Sequence, residues 1–66
     1  MKIALNGEER DVAPATSVTQ LLHAAGYAEK RVAVEINREI VPRSRHAEWL
    51  LHPGDRVEIV HAIGGG

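Results

Sequence analysis

The stretch Ser17–Gly26, SVTQLLHAAG, decides the fold, because it carries both the start and the stop signal of a single helix. Ser17 can accept a hydrogen bond from the backbone N–H of Gln20 while the Gln20 side chain reaches back, a capping box that begins a helix. The apolar positions of this segment are Val18, Leu21, Leu22 and Ala25. At about 100° per residue they share one face, so the helix is predicted to lie on a sheet and to end at Gly26.

An extended segment precedes this helix. Apolar residues alternate along residues 1–5, Asn6-Gly7 follows, and a second extended run occupies residues 9–12. Asn and Gly both tolerate positive φ, and Asn-Gly between two extended runs is a strong short-range signal for a hairpin. The chain is therefore predicted to open with a β-hairpin.

Two further extended segments follow the helix. Residues 32–36 and 39–41 are joined by Asn37-Arg38 and predict a second hairpin. Residues 43–52 show no clean period, so we expect an irregular segment or a short helical turn that covers one end of the core. Apolar residues alternate again along residues 56–63 and predict a last strand.

The predicted order of elements, β-β-α-β-β-β, defines the fold class. One helix laid across one face of a mixed five-stranded sheet buries all of these apolar faces, which describes an α+β, ubiquitin-like β-grasp fold. In it the first and last strands are parallel central neighbours. We expect residues 1–63 to form the single domain and residues 64–66 to form a flexible tail, since 66 residues suffice for one domain only.

Composition excludes several classes of function. The formal charge is −1 with both signs interspersed, so no nucleic-acid-binding face is expected. The absence of cysteine excludes a disulfide, a thiolate zinc site and a cysteine nucleophile. Apolar runs shorter than a membrane helix and the lack of a signal peptide lead us to expect no membrane contact and a cytoplasmic location.

The histidines do not indicate a metal site or a catalytic site. His46 and His52 are six residues apart, a spacing that cannot put both on one face of a helix, so no metal site is predicted. His61 shares the alternation of the last strand and is expected to be a partly buried structural residue near the edge of the core. No acid–base pair or activated nucleophile stands at a plausible spacing, so an enzyme is not expected.

The sequence ends in Gly64-Gly65-Gly66, and this segment is the candidate site. Glycine has no Cβ, so such a tail can enter a channel too narrow for other residues. A terminal carboxylate is an anion at neutral pH and must be activated before it reacts, usually as an acyl-adenylate made with ATP. The alternative from the tail alone is a frayed, uninformative end.

Five segments resemble the ThiS family of sulfur carriers in thiamine thiazole synthesis, over nearly the full length. They are Ala4-Leu5-Asn6-Gly7-Glu8, Ala33-Val34-Glu35-Ile36-Asn37, Ile40-Val41-Pro42-Arg43-Ser44 with Trp49 downstream, Leu51 with Pro53-Gly54-Asp55-Arg56-Val57-Glu58-Ile59-Val60, and Gly64-Gly65-Gly66. Each segment alone is weakly specific, but their order and spacing are specific together. The resemblance implies the same β-grasp fold that the residue pattern predicts.

The resemblance also implies a reaction cycle centred on Gly66, since Gly65 and Gly66 match the family's terminal pair. A ThiF-like, ubiquitin-activating-type enzyme would adenylate the Gly66 carboxylate with ATP, and sulfur from a cysteine desulfurase would convert it to a thiocarboxylate. The thiocarboxylate would then supply sulfur to a ThiG-like thiazole synthase. ATP would be used by the activating enzyme, so no cofactor is expected to be bound by this chain.

Four other residues are candidates for contacts with partners. Val60 and Ala62 are predicted to face the open side of the sheet, as a docking patch or as ordinary exposed apolar residues. Arg43 and Arg45 can contact an acidic partner surface or be solvated loop residues. A monomer is expected because a carrier must visit several partners.

Two other functions are left open at this point. One is a related sulfur carrier or ubiquitin-like modifier, acting in molybdopterin synthesis, tRNA thiolation or conjugation to lysine. The other is an interaction domain with an inert tail. The first would share the activation chemistry, whereas the second would tolerate deletion of the tail.

Overall fold

Seven short elements follow one another in the computed structural model, which describes residues 1–61. In chain order they are β1 (Lys2–Leu5), β2 (Glu8–Asp11), α1 (Val18–Ala24), β3 (Val32–Ile36), β4 (Glu39–Val41), a 3₁₀ turn (Arg43–Arg45) and β5 (Arg56–His61). This order confirms both predicted hairpins, the helix and the last strand up to His61. Positions 62 and 63, which were also predicted to be extended, lie outside the described residues.

The five strands form one mixed sheet in the order β2-β1-β5-β3-β4. β1 and β5 run parallel with Ala4 opposite Arg56, and the other neighbouring pairs are antiparallel. The β-grasp prediction, including the parallel pairing of the first and last strands near the centre, is therefore confirmed. β5 itself is the middle strand, with two strands on each side.

The capping residues fix both ends of α1. The Gln20 N–H donates to Ser17 Oγ at 3.1 Å, and the Ser17 N–H donates to Gln20 Oε1 at 2.8 Å, which completes the capping box. At the other end Gly26 has φ +89°, and the Tyr27 N–H donates to the Leu22 carbonyl at 2.7 Å. This bond reaches back across the helix end and satisfies a carbonyl that α1 would otherwise leave unpaired.

The core lies between α1 and one face of the sheet. Its buried apolar residues are Ile3, Leu5, Val18, Leu21, Leu22, Val34, Ile36, Val41, Leu51, Val57 and Ile59. Residues 43–52 cover one end of this core through the 3₁₀ turn, as expected. Within that segment His46 is buried, with its Nε2 3.1 Å from the Val41 carbonyl oxygen, and Trp49 packs half-buried against the core.

Candidate functional site: the strand that leads to the glycine tail

The strand that precedes the tail is the described part of the candidate site. Four predicted site residues, Ala62, Gly64, Gly65 and Gly66, lie outside the described residues, as does the predicted domain boundary at residue 63. β5 ends at His61, the last position described. The geometry of the candidate site is therefore the geometry of this strand and its neighbours.

Two asparagines hold β5 at different points along its length. Asn6, in the β1–β2 turn, bonds through its side chain to Ile59 near the end of the strand. Asn37, in the β3–β4 turn, accepts the Arg56 N–H at 3.0 Å and donates to Asp55 at 3.0 Å at the start of the strand. Both asparagines adopt positive φ, 50° and 52°, as the tight hairpin turns require. Each of the two hairpin turns therefore also holds the middle strand, β5, through side-chain hydrogen bonds of its asparagine.

The sheet face opposite α1 carries a cluster of residues that we call the open-face patch. Its members, which surround a shallow depression, are Ala33, Glu35, Ile40, Glu58 and Val60. Val60 and Ile40 are each 59% exposed. The structure thus places Val60 where the alternation predicted it, on the open side of the strand that leads to the tail.

Sequence reasoning missed four members of this patch, of which Ala33 lies opposite Val60 across the β3–β5 pair. Glu35 and Glu58 lie directly opposite each other across the β3–β5 pair, and Ile40 lies opposite Glu35 across the β3–β4 pair. Alternation within each strand could have assigned these residues to the open face. It could not have aligned them, because the register between β3 and β5 depends on the whole sheet.

Arg43 and Arg45, predicted together as partner contacts, lie in different surroundings. Arg45 Nε pairs with Glu48 Oε1 at 3.2 Å, and both side chains are exposed. Arg43 instead lines a crevice at the C-terminal end of α1 with Lys30 and His46. Arg45 lines a separate crevice with Trp49 and His52, so the structure does not bring the two arginines into one site.

His61 differs from the expectation of partial burial, because its side chain is exposed. Its ring centroid lies 6.0 Å from that of Tyr27, with the two planes tilted by 54°. The alternation assigned His61 to the side of β5 that carries the buried Val57 and Ile59, but the core does not extend along the strand as far as His61. The sequence prediction of burial was wrong for this reason.

Within residues 1–61 no group of three or more histidine, cysteine, aspartate or glutamate side chains is placed to hold a metal ion. In the same part of the chain no helix is long and apolar enough to cross a membrane. The contact between Lys2 on β1 and Asp11 on β2 raises the pKa of Lys2 and lowers the pKa of Asp11. This pair lies away from the end of β5 that leads to the tail.

Within residues 1–61 the strand order and the one α-helix define a β-grasp protein, and in the sequence its middle strand is followed by Ala62, Ile63 and three glycines. The model of the ThiS family matches residues 3–66. The chain therefore belongs to the ThiS family.

This chain covers a small part of one curated relative and the full length of another. The chain is 47% identical over its full length to a thiazole synthase of Paramagnetospirillum magneticum, of which it spans about one fifth, 20%. It is also 30% identical to the sulfur carrier protein ThiS of Escherichia coli K12, with complete coverage of both chains.

A solved structure gives the same assignment. The crystal structure of the thiamine biosynthesis protein ThiS from Geobacter metallireducens superposes with a TM-score of 0.87 at 35% sequence identity, and each chain is covered completely. The identity is high enough, and the coverage complete enough, for the likeness to extend beyond the fold to the family.

Proposed function

We propose that this chain is a sulfur carrier of thiamine biosynthesis whose working group is the α-carboxylate of Gly66. The observation that carries the proposal is membership of the ThiS family through residues 3–66, a match that includes the three glycines. The anchoring of β5 by Asn6 and Asn37 supports it, because a group delivered to a partner's active site needs a rigid base.

The proposed chemistry takes place on the chain's own backbone. A carboxylate oxygen of Gly66 attacks the α-phosphorus of ATP, pyrophosphate leaves, and an acyl-adenylate forms. A persulfide sulfur then attacks the acyl carbon and AMP leaves. A second thiol of the sulfur donor then attacks the donor's own sulfur in the remaining S–S bond. This forms a disulfide in the donor and releases the thiocarboxylate, in which sulfur has replaced one oxygen.

Partners would supply every catalytic side chain in this scheme. We propose a ThiF-like adenylating enzyme that binds the ATP, a cysteine desulfurase as the sulfur source, and a ThiG-like thiazole synthase as the acceptor. The synthase is supported by the relative whose name is thiazole synthase and of which a segment resembles this chain. We further propose that the carrier works as a cytoplasmic monomer without a bound cofactor.

The test is the intact mass of the chain after incubation with the adenylating enzyme, ATP and the sulfur-donating system. We expect a gain of about 16 Da, the difference between sulfur and oxygen, and no gain in a variant that lacks Gly66. A variant with Glu9→Gln, a change on the outer strand β2, is the matched control and should gain the same mass as the wild type. Absence of the gain with an active enzyme would contradict the proposal, and adducts to lysine would indicate a protein modifier instead.

A further inference from the structure

The open-face patch consists of two rows of side chains that cross neighbouring strands. In the first row Ile40 on β4, Glu35 on β3 and Glu58 on β5 lie side by side. In the second row Ala33 on β3 lies opposite Val60 on β5. The two carboxylates therefore lie between exposed apolar groups, one on β4 and one further along β5.

The pairing of Glu35 with Glu58 is unfavourable in the isolated chain. Residues directly opposite in an antiparallel pair have Cβ atoms about 5 Å apart, and like charges at this distance destabilise the sheet. The ion pairs found within residues 1–61 involve Asp11 and Glu48, and neither Glu35 nor Glu58 takes part in one. Arg56, the next cation on this face of β5, forms no ion pair with Glu58 in that set. A positive charge placed between the two carboxylates from outside would relieve the repulsion.

The apolar members of the patch need a partner as well. Ile40 and Val60 are 59% exposed on a sheet face that no helix of the described chain covers. Exposed apolar groups rimmed by charge are typical of protein-binding surfaces, in which contact with apolar groups is combined with a charge that fixes register. The complementary surface would present one cationic side chain beside apolar ones.

We propose that the open-face patch is the docking surface for the thiazole synthase, which inserts an arginine or lysine between Glu35 and Glu58 and packs apolar side chains on Ile40 and Val60. The inference rests on the proposed function, which supplies the synthase as a partner. The synthase is chosen over the adenylating enzyme because a relative named thiazole synthase contains a segment 47% identical to this chain. A segment similar to this chain thus occurs in the same polypeptide as a protein named thiazole synthase.

The experiment measures binding of the full chain to the thiazole synthase of the same organism, produced as a separate protein, by calorimetric titration. Glu58→Gln and Glu35→Gln should each raise Kd about tenfold or more and reduce its salt dependence, because the paired charge is lost. The same variants should unfold at an equal or higher denaturant concentration than the wild type, since the repulsion is removed. If Glu35 and Glu58 served only to stabilise the fold, these variants would instead unfold at a lower denaturant concentration than the wild type.

Two further variants separate charge from apolar contact. Glu9→Gln removes the same charge from the same sheet face, two strands away on β2, and should leave Kd unchanged. Val60→Asp should weaken synthase binding while leaving the fold intact, because this side chain is already mostly in solvent. Unchanged affinity in Glu58→Gln, or an equal loss in Glu9→Gln, would overturn the proposal.

Failure of this inference can be distinguished from failure of the proposed function. If the glutamine variants gain about 16 Da as the wild type does but bind the synthase normally, the carrier function stands and the docking surface is wrong. If their binding to the adenylating enzyme falls while synthase binding is unchanged, the patch serves the other partner and the proposal is overturned. A wild-type chain that gains no mass contradicts the proposed function itself.

Discussion

The side-chain amide of Asn6 pairs with both backbone groups of Ile59, a residue 53 positions further along the chain. The Ile59 N–H donates to Asn6 Oδ1 at 2.8 Å, and Asn6 Nδ2 donates to the Ile59 carbonyl at 3.3 Å. Together with the bond from the Asn6 N–H to the Val57 carbonyl at 2.9 Å, these bonds continue the β1–β5 pairing beyond the end of β1. The Asn6 side chain thus makes the hydrogen bonds to β5 that the backbone of one more residue of β1 would otherwise make.

Replacing Asn6 with glycine should lower the free energy of unfolding by about 1–3 kcal/mol, because two backbone groups of the middle strand lose their partners. Glycine suits the local φ of 50°, so the loss reports the side-chain bonds and not backbone strain. Urea denaturation followed by circular dichroism measures it. An unfolding midpoint equal to that of the wild type would show that water replaces the amide without loss.

The second hairpin turn offers the complementary test. Arg38 has φ 70°, a conformation that costs about 1 kcal/mol for a residue with a Cβ. Arg38→Gly should therefore raise the free energy of unfolding by about 0.5 kcal/mol, after part of the gain is offset by the more flexible unfolded chain. Gly7 lies at the matching position of the first turn, with φ 85° and open space where a Cβ would project. Gly7→Ala should therefore lower the free energy of unfolding. A loss of stability in Arg38→Gly, measured by urea denaturation, would contradict this explanation.

The capping box of α1 should be measurable on its own. Ser17→Ala removes the acceptor for the Gln20 N–H and should destabilise the protein by about 1 kcal/mol. Gln20→Ala removes the reciprocal bond to the Ser17 N–H, and since Gln20 is exposed its loss should cost less. Thermal unfolding of both variants gives the comparison. Equal stability of Ser17→Ala and the wild type would mean that the bonds from the Val18 and Thr19 N–H groups to the carbonyls of Trp49 and His46, and not the cap, determine where α1 begins.

The Lys2–Asp11 pair across β1 and β2 should give a pH dependence with a known sign. The hydrogen bond and charge of Lys2, 2.7 Å away, hold the pKa of Asp11 below its ordinary value of 3.8. The same contact raises the pKa of Lys2 above 10.5. Asp11 therefore contributes stability above pH 3.8 that is lost as the pH falls through its lowered pKa, and Lys2 contributes stability that is lost as the pH rises through its raised pKa.

Asp11→Asn tests this pair, because it should flatten the dependence of the unfolding midpoint on pH at both extremes. Both side chains are exposed, so screening by salt should reduce the difference between variant and wild type. Denaturant midpoints measured at low and high salt provide the data. A wild-type profile that stays parallel to that of Asp11→Asn below pH 3.8 would contradict the assignment.

Local signals in the sequence predicted the elements of the fold. Ser17, Gln20 and Gly26 predicted the ends of α1, and Asn6-Gly7 predicted the first turn, because the physics at each place involves residues only a few positions apart. Contacts between distant segments were not predictable in this way. The pairing of Glu35 with Glu58, and the bonds from Asn37 to Asp55 and Arg56, exist only once the sheet has its register.

In the candidate site, too, features set by neighbouring residues were predictable from the sequence, whereas contacts between distant segments were not. The exposed position of Val60 followed from alternation, whereas the burial expected for His61 was wrong because alternation gives the side of a strand and not how far the core extends along it. Arg43 and Arg45 looked equivalent because they are two residues apart. Glu48, the partner of Arg45, is only three residues away, whereas Lys30, which lines the crevice of Arg43, comes from a distant segment that the sequence could not place.

The parallel pairing of β1 with β5 also has a consequence for how the protein is made. Ala4 lies opposite Arg56, so the middle of the sheet cannot close on the ribosome until β5 has left the exit tunnel. The two hairpins and α1 can form earlier from local contacts, but without β5 they lack a common strand. The glycines follow that strand so closely in the sequence that they are made before β5 has left the tunnel, so the sheet closes only after the residue proposed to carry sulfur has been added.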